Sequence, residues 1–177
     1  VAVRVEVSGP HNFAFVAAVK NGAVDGGDDE CTRLGQGLVD GGTFYALKSS
    51  SLAMLDDSRG WLRSDGRPFL DLLAPDAGLF YPLDLDSSGV RVTGVSAFTG
   101  LATISTGAGD CDGFTTASGT TVAGVLGASD YLWLDQGAPL SCGVAGALYC
   151  FETGSSVPRL PLPPPRGARV VYVADAP

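Results

Sequence analysis

Residues 1–9 alternate strictly, with Val1, Val3, Val5 and Val7 on one side and Ala2, Arg4, Glu6 and Ser8 on the other. That is the period-two pattern of a half-buried strand, and Gly9-Pro10 ends it. Residues 11–19 carry Phe-Ala-Phe-Val-Ala-Ala-Val, which predicts a second strand closed by the Asn21-Gly22 turn signal. From 25 to 41 the period lengthens: Cys31, Leu34 and Leu38 fall at i, i+3 and i+7, behind Asp28, Asp29 and Glu30, where a helix dipole favours anions. A short helix is expected there, weakened by Gly35 and Gly37. Residues 43–47 predict a short strand, and Ser49, Ser50 and Ser51 offer N-caps to a second helical turn over residues 52–55.

From 58 to about 127 no helical stripe survives. Turn signals such as Ser64-Asp65-Gly66, Ala74-Pro75-Asp76 and Ser87-Ser88-Gly89 interrupt the chain at short intervals, so long loops and short strands are expected. Strand patterns resume at Tyr131-Leu132-Trp133-Leu134 and at residues 147–151. Residues 154–167 form a Gly/Ser- then Pro-rich linker, which favours an extended spacer. Residues 168–177 hold Arg169-Val170-Val171-Tyr172-Val173-Ala174, another strand pattern similar in character to Phe13-Ala14-Phe15-Val16-Ala17. That echo fits coincidence between two β-branched strands, the start of a second copy, or a strand supplied to a neighbour. The domain proper is placed at residues 11–153, with 1–10 as an extra N-terminal strand.

Composition narrows the class. The chain has 177 residues, 45% hydrophobic and 17% charged, with 25 Gly and 11 Pro. It therefore has the apolar content of one folded, loop-rich domain and not of a disordered chain. The formal charge is −8 from 11 cations and 19 anions, which speaks against nucleic acid and anionic membrane surfaces as partners. No apolar run is long enough to span a bilayer, so no membrane insertion is expected. The chain begins Val1-Ala2-Val3 without a leader pattern, so any targeting segment is expected to have been removed or left out.

Cys31, Cys111, Cys142 and Cys150 make an even set with no C-x-x-C pair, and the one His, His11, lies far from all of them. Two disulfides in an exported, extracellular or surface protein explain this better than zinc or free thiols. Four cysteines allow three pairings, and the spacing does not choose among them.

Catalytic signals are sparse. There is no Gly-x-Ser-x-Gly, no His-Glu-x-x-His and no phosphate-binding Gly-Lys-Ser/Thr, and the sequence offers no His besides His11 to serve as a base. Paired carboxylates are the remaining route: Asp56 with Asp57, Asp110 with Asp112, and the 28–30 cluster, each also explained by caps and turns. Asp84-x-Asp86-x-Ser88-Gly89 copies the start of a calcium loop, but its twelfth position is Val95 in place of the bidentate Glu. The expectation is therefore no enzyme, no cofactor and no metal site. Trp61, Phe69, Phe80, Tyr81, Phe98 and Phe114 stand in the irregular stretch, most of them expected in the core and one or two as exposed anchors.

Several of these features occur in one order. An opening strand precedes Gly-Asp-Asp-Glu-Cys at 27–31 and the Ser-rich helix at 49–55. Asp86-Ser-Ser-Gly-Val90 follows, then Phe98-Thr99-Gly100, Cys111 with Phe114-Thr115-Thr116, Trp133 before Cys142, and Leu148-Tyr149-Cys150-Phe151-Glu152. Over about residues 13–152 the chain resembles a bacterial domain family of unknown function related to endostatin, a variant of the C-type lectin-like fold found in surface-exposed proteins. The resemblance implies an α+β domain with two short helices, twisted antiparallel sheets and long loops. It also implies two nested disulfides, Cys31 to Cys150 and Cys111 to Cys142. It does not extend to calcium-dependent sugar binding, because only Trp133-Leu134-Asp135 echoes the calcium strand and no Glu-Pro-Asn or Gln-Pro-Asp loop is present. The His-rich zinc site of endostatin has no counterpart either.

Two functions follow as expectations. The resemblance implies a non-enzymatic binding or adhesion module, recognising an extracellular protein or glycan through its long loops. The terminal strand patterns imply the alternative, a structural subunit of an extracellular filament or tandem array joined to further copies of itself by strand exchange.

Overall fold

The computed structural model describes residues 10–74, 78–103, 106–107 and 109–158. The terminal strand patterns at 1–9 and 168–174, most of the Pro-rich linker and part of the Ala74-Pro75-Asp76 turn lie outside the described residues.

The strands are β1 (Asn12–Val19), β2 (Thr43–Ala46), β3 (Trp61–Arg63), β4 (Pro68–Leu70), β5 (Ser96–Phe98), β6 (Leu101–Thr103), β7 (Thr106–Gly107), β8 (Thr120–Thr121), β9 (Ala123–Val125), β10 (Leu140–Ser141) and β11 (Gly146–Thr153). The helices are α1 (Asp28–Gly35) and α2 (Leu52–Leu55), the latter entered through a 3-10 turn at Ser49–Ser51. Seven strands form one sheet in the order β4-β3-β1-β11-β5-β9, with β2 also paired to β11. β1 and β11 are antiparallel from Ala14 opposite Phe151 to Val19 opposite Gly146. The other edge of β11 is divided: β5 runs parallel to it at Ala147 and Leu148, and β2 antiparallel from Cys150 to Thr153. The sheet is thus mixed where antiparallel sheets were expected, because β1–β3 and β11–β5 are both parallel pairs. The result is an α+β domain with few helices, a mixed sheet and two disulfides.

β1 and β11 read as near-continuous apolar runs because both of their faces are covered. Ala14, Val16, Ala147, Tyr149 and Phe151 face one core, and Phe15, Ala17, Leu148 and Cys150 the other. In the first core Trp61 packs edge-on to Phe151 with ring centres 5.4 Å apart, and Phe69 packs edge-on to Trp133 at 5.6 Å. Such edge-to-face geometry adds to what ring burial itself contributes. The second core holds the Cys31–Cys150 bridge between α1 and β11, together with Phe15, Phe44, Phe98 and Phe114. The Cys111–Cys142 bridge lies against the turn after β1, where the Gly22 N–H donates to the Cys142 carbonyl at 2.7 Å.

Several local expectations are corrected. Residues 131–133 form a 3-10 turn and not a strand, because Asp130 accepts from the Leu132 N–H at 3.1 Å and starts a helical turn. Of the three serines placed at the head of α2, it is Ser51 that engages the backbone, accepting from the Lys48 N–H and donating to the Ala46 carbonyl. Within the stretch expected as linker, Ser155 is buried and its N–H donates to the Asn12 side chain. Residues 111–114, expected as loop, coil through one tight turn in which Cys111, Asp112, Gly113 and Phe114 have φ of 55°, 56°, 66° and 65°. This left-handed backbone is costly for non-glycine residues, and the Cys111–Cys142 bridge and the Asp110 side chain, accepting from the Gly113 N–H at 2.8 Å, hold it.

Candidate functional site

Several of the carboxylates singled out for chemistry are engaged in structural hydrogen bonds. Asp28 accepts from the Ala46 N–H at 2.8 Å and pairs with Lys48 at 3.1 Å, joining α1 to the end of β2. Lys48 Nζ also donates to the Gly26 carbonyl and lies 5.9 Å from the Phe114 ring centre. Asp110 caps the left-handed turn, and Asp56 and Asp57 are exposed after α2. Asp86 accepts from the Ser88 N–H, the Ser88 hydroxyl and the Val90 N–H at 2.9, 2.7 and 2.9 Å, so the calcium-like segment is a side-chain-stabilised turn. Burial pushes the Asp86 carboxyl up, but these hydrogen bonds together outweigh it and hold the group below its ordinary range. Among the described residues no group of three or more His, Cys, Asp or Glu is gathered closely enough to hold a metal ion. His11 packs edge-on against Phe13 with ring centres 4.8 Å apart.

The arrangement that stands out is one the sequence reading did not single out. Arg63, at the end of β3, is buried, with 6% of its side chain exposed. Its guanidinium donates to Asp65 at 2.7 and 3.1 Å, to the Pro82 carbonyl at 2.7 Å and to Asp84 at 3.2 Å. Asp84 is equally buried, and its other oxygen forms an ion pair with Arg91 Nε at 3.0 Å, the Arg91 side chain being 68% exposed. At the far end Arg67 pairs loosely with Asp65 at 3.7 Å and lies over the Tyr81 ring at 5.4 Å. A buried arginine of this kind needs its donors matched by acceptors, and Asp65 in the β3–β4 turn together with Pro82 and Asp84 after β4 supplies them. The only sequence sign was an arginine closing the apolar Trp61-Leu62 strand, a position that demands a carboxylate from elsewhere.

The backbone fixes this loop against the sheet. The Leu85 carbonyl accepts from the Val16 N–H at 2.7 Å, so residues 84–92 occupy the edge of β1 beyond β3. The Val92 N–H donates to the Asp84 carbonyl at 2.8 Å and closes the hairpin-like turn. Beside it opens a groove of about 630 Å³, lined on one side by residues 91–96 and on the other by Val125, Leu126 and Gly127, with Gln136 and Leu140 completing it. Asp84 and Pro82 also line it, which connects the charge relay to the groove. The Ser96 hydroxyl donates to Gln136 Oε1 at 3.1 Å across the lining. The Tyr149 hydroxyl, 3.5 Å from the Val125 carbonyl, has its pKa pushed up by burial and by the Asp84 charge, so it stays neutral beneath the groove.

The nominated aromatics separate accordingly. Trp61, Phe69, Phe98 and Phe114 are buried in the two cores, Phe80 is half-buried, and Tyr81 is exposed over Arg67. Tyr131, which was not nominated, is 75% exposed, the most of any large apolar side chain among the described residues.

No family model matches the chain, and no curated protein matches it. Among the described residues no helix is long and apolar enough to cross a membrane.

Proposed function

We propose that the chain is an extracellular, non-enzymatic binding module with a C-type lectin-like, endostatin-like fold, presented on a bacterial surface and recognising a protein or glycan ligand through its loops. The observation that carries this reading is the groove beside the 84–92 turn: it is open, built from loop and strand-end residues, and anchored to a rigid sheet. Loops on a fixed scaffold are the usual place for recognition. Two further features support it. Asp28 and Asp110 stabilise backbone, and both disulfides tie the loop region or α1 to the scaffold, as suits an oxidising compartment.

The test uses the oxidised chain against immobilised glycans, matrix proteins and serum proteins at micromolar concentration. We expect at least one ligand whose binding falls tenfold or more in Thr93→Arg, an exposed position on the groove lining, and is unchanged in Met54→Lys on α2. No ligand above background, or equal loss in both variants, overturns the proposal.

A further inference from the structure

We infer that Cys111–Cys142 is a redox switch: a dithiol reductant opens it reversibly while Cys31–Cys150 stays closed, and its opening loosens one wall of the groove. This goes beyond the binding reading and does not depend on it, since the bond itself and the backbone around it report the change.

The inference starts from backbone strain. Cys111, Asp112 and Phe114 are three of the four non-glycine residues with positive φ among the described residues, and they stand in one turn with Gly113. Left-handed backbone of this kind persists only where its surroundings hold it, and it gathers in switch regions. Within the turn the Gly113 N–H donates to the Asp110 side chain at 2.8 Å and the Thr115 N–H to the Cys111 carbonyl at 3.1 Å. The bridge to Cys142 is the covalent tie that joins this turn to the opposite loop. Opening the tie lets the turn relax, so the strain favours the dithiol form of this pair. Cys31 and Cys150 lie in regular helix and strand, where no such strain acts.

Access separates the two bridges in the same direction. All four cysteines are buried, so a thiolate reaches a sulfur only after local opening. Cys142 is flanked by exposed Ser141 and Gly143, and Cys111 is followed by exposed Asp112. Cys150, by contrast, lies opposite Phe15 on β1 and Ala46 on β2. Surface loops need only lift to uncover Cys111–Cys142, whereas the neighbours of β11 must part to uncover Cys31–Cys150.

The contacts of the bridge define what its opening changes. The Gly22 N–H donates to the Cys142 carbonyl at 2.7 Å, and the Phe114 carbonyl accepts from the Val24 and Gly26 N–H groups at 2.9 and 3.0 Å, so the bridged segments steady the chain entering α1. Leu140 and Ala145, on either side of Cys142, line the groove. In the exchange a reductant thiolate attacks one sulfur and the other leaves as a thiolate. The reductant's second thiol then displaces the remaining cysteine from the mixed disulfide. Two electrons and two protons pass to Cys111 and Cys142, and the dithiol becomes a disulfide.

The test treats the oxidised full chain with dithiothreitol for graded times without denaturant, quenches with iodoacetamide and maps the alkylated peptides by mass. We expect Cys111 and Cys142 to react at least tenfold faster than Cys31 and Cys150. In the singly reduced species amide exchange should rise at residues 22–27, 111–118 and 139–145 and stay unchanged in β1 and β11. Exchange of the reductant for oxidised glutathione should restore the bridge and the protection. Two variants change the strain. Asp112→Gly relieves the left-handed cost at an exposed residue and should slow reduction of Cys111–Cys142 several-fold. Gly113→Ala, whose added methyl meets no heavy atom within 4 Å, raises that cost and should speed it several-fold. Neither should alter the rate at Cys31–Cys150. Reduction of both bridges together, of Cys31–Cys150 first, or of neither overturns the inference. So does exchange that rises across β1 and β11, a bridge that does not re-form, or variants that leave the rate unmoved or shift it the other way.

Discussion

Asn12 and Ser155 hold each other across 143 residues: the Asn12 amide donates to the Ser155 carbonyl at 2.8 Å, and its side-chain oxygen accepts from the Ser155 N–H at 2.9 Å. The same amide donates to the Arg59 carbonyl at 2.7 Å, and the Arg59 N–H donates to the Ser155 carbonyl at 2.8 Å. Three stretches of chain thus meet on one fully buried side chain where the described domain begins and ends. Replacing it strands backbone groups that have no access to water. Asn12→Ala should cost about 2–4 kcal/mol, the sum of lost hydrogen bonds and unsatisfied buried partners, measured by urea unfolding. A loss below about 1 kcal/mol would mean that water takes over these bonds.

The two bridges should differ in what they contribute. Cys31–Cys150 spans 119 residues and Cys111–Cys142 spans 31. Loop-closure entropy then assigns about 5 kcal/mol to the first and about 4 kcal/mol to the second, as upper values. Both bridges are buried in the second core, the first joining α1 to β11 and the second also holding the left-handed turn at 111–114. The double variant Cys31→Ala/Cys150→Ala should therefore be the less stable, and Cys111→Ala/Cys142→Ala should lose loop order first, seen as proteolysis near residue 112. Equal stabilities would show that native contacts, and not chain entropy, set the difference.

Glu152 supplies a pH signature. Its side chain accepts from the Phe13 N–H at 2.8 Å. Burial pushes its carboxyl above the ordinary value of 4.5, and the hydrogen bond offsets only part of this. A carboxyl raised in the folded state binds more protons folded than unfolded. Its contribution is therefore fully present below about pH 4.5 and is lost as pH rises through the folded value. Glu30, Asp65 and Asp86 act in the opposite sense. Their folded values are lowered, Glu30 chiefly by the Arg33 hydrogen bond, so their contributions are lost as pH falls through those values. Unfolding free energies of native protein and Glu152→Gln, compared from pH 4 to 8, should shift steadily in favour of the variant as pH rises. A difference independent of pH would place Glu152 in ordinary solvation.

What was legible in the sequence is what local chemistry decides. The 28–30 acids and the spacing of Cys31, Leu34 and Leu38 predict α1 within a few residues, and the apolar runs at 11–19 and 147–151 predict β1 and β11. What was not legible depends on partners distant in sequence. The parallel pairing of β1 with β3 leaves no local mark, and neither does the division of one edge of β11 between β2 and β5. The 131–134 run has strand character, yet Asp130 turns it into a helical turn packed against β9. Asp84 stood in a calcium-like motif, and its actual partners are Arg63 at the end of β3 and Arg91 on the far side of its own turn. The groove was illegible for the same reason: its walls are some 30 residues apart in the chain.

Gly35 marks that boundary most clearly, because its helix position argues for one effect and its surroundings for the opposite. By helix propensity Gly35→Ala should stabilise α1 by about 1 kcal/mol. In the fold, a methyl group there would overlap the Phe44 ring, which fills the space between α1 and β2. Overpacking of a closed core costs about 1–3 kcal/mol, so the net effect should be destabilising. Gly124 is a harsher case: its added methyl would collide with the Trp133 carbonyl, which is backbone and cannot rotate away. Gly124→Ala should therefore cost more than Gly35→Ala and should lower groove binding too, because Val125 and Leu126 follow directly. Gly37, exposed and with the Leu34 carbonyl 3.7 Å from the site of an added methyl, has room. Gly37→Ala should be neutral or stabilising by about 0.4–1 kcal/mol through the unfolded chain. Urea unfolding of the three variants should rank them 37 above 35 above 124, and a stabilising Gly35→Ala would mean that Phe44 can vacate the position it occupies.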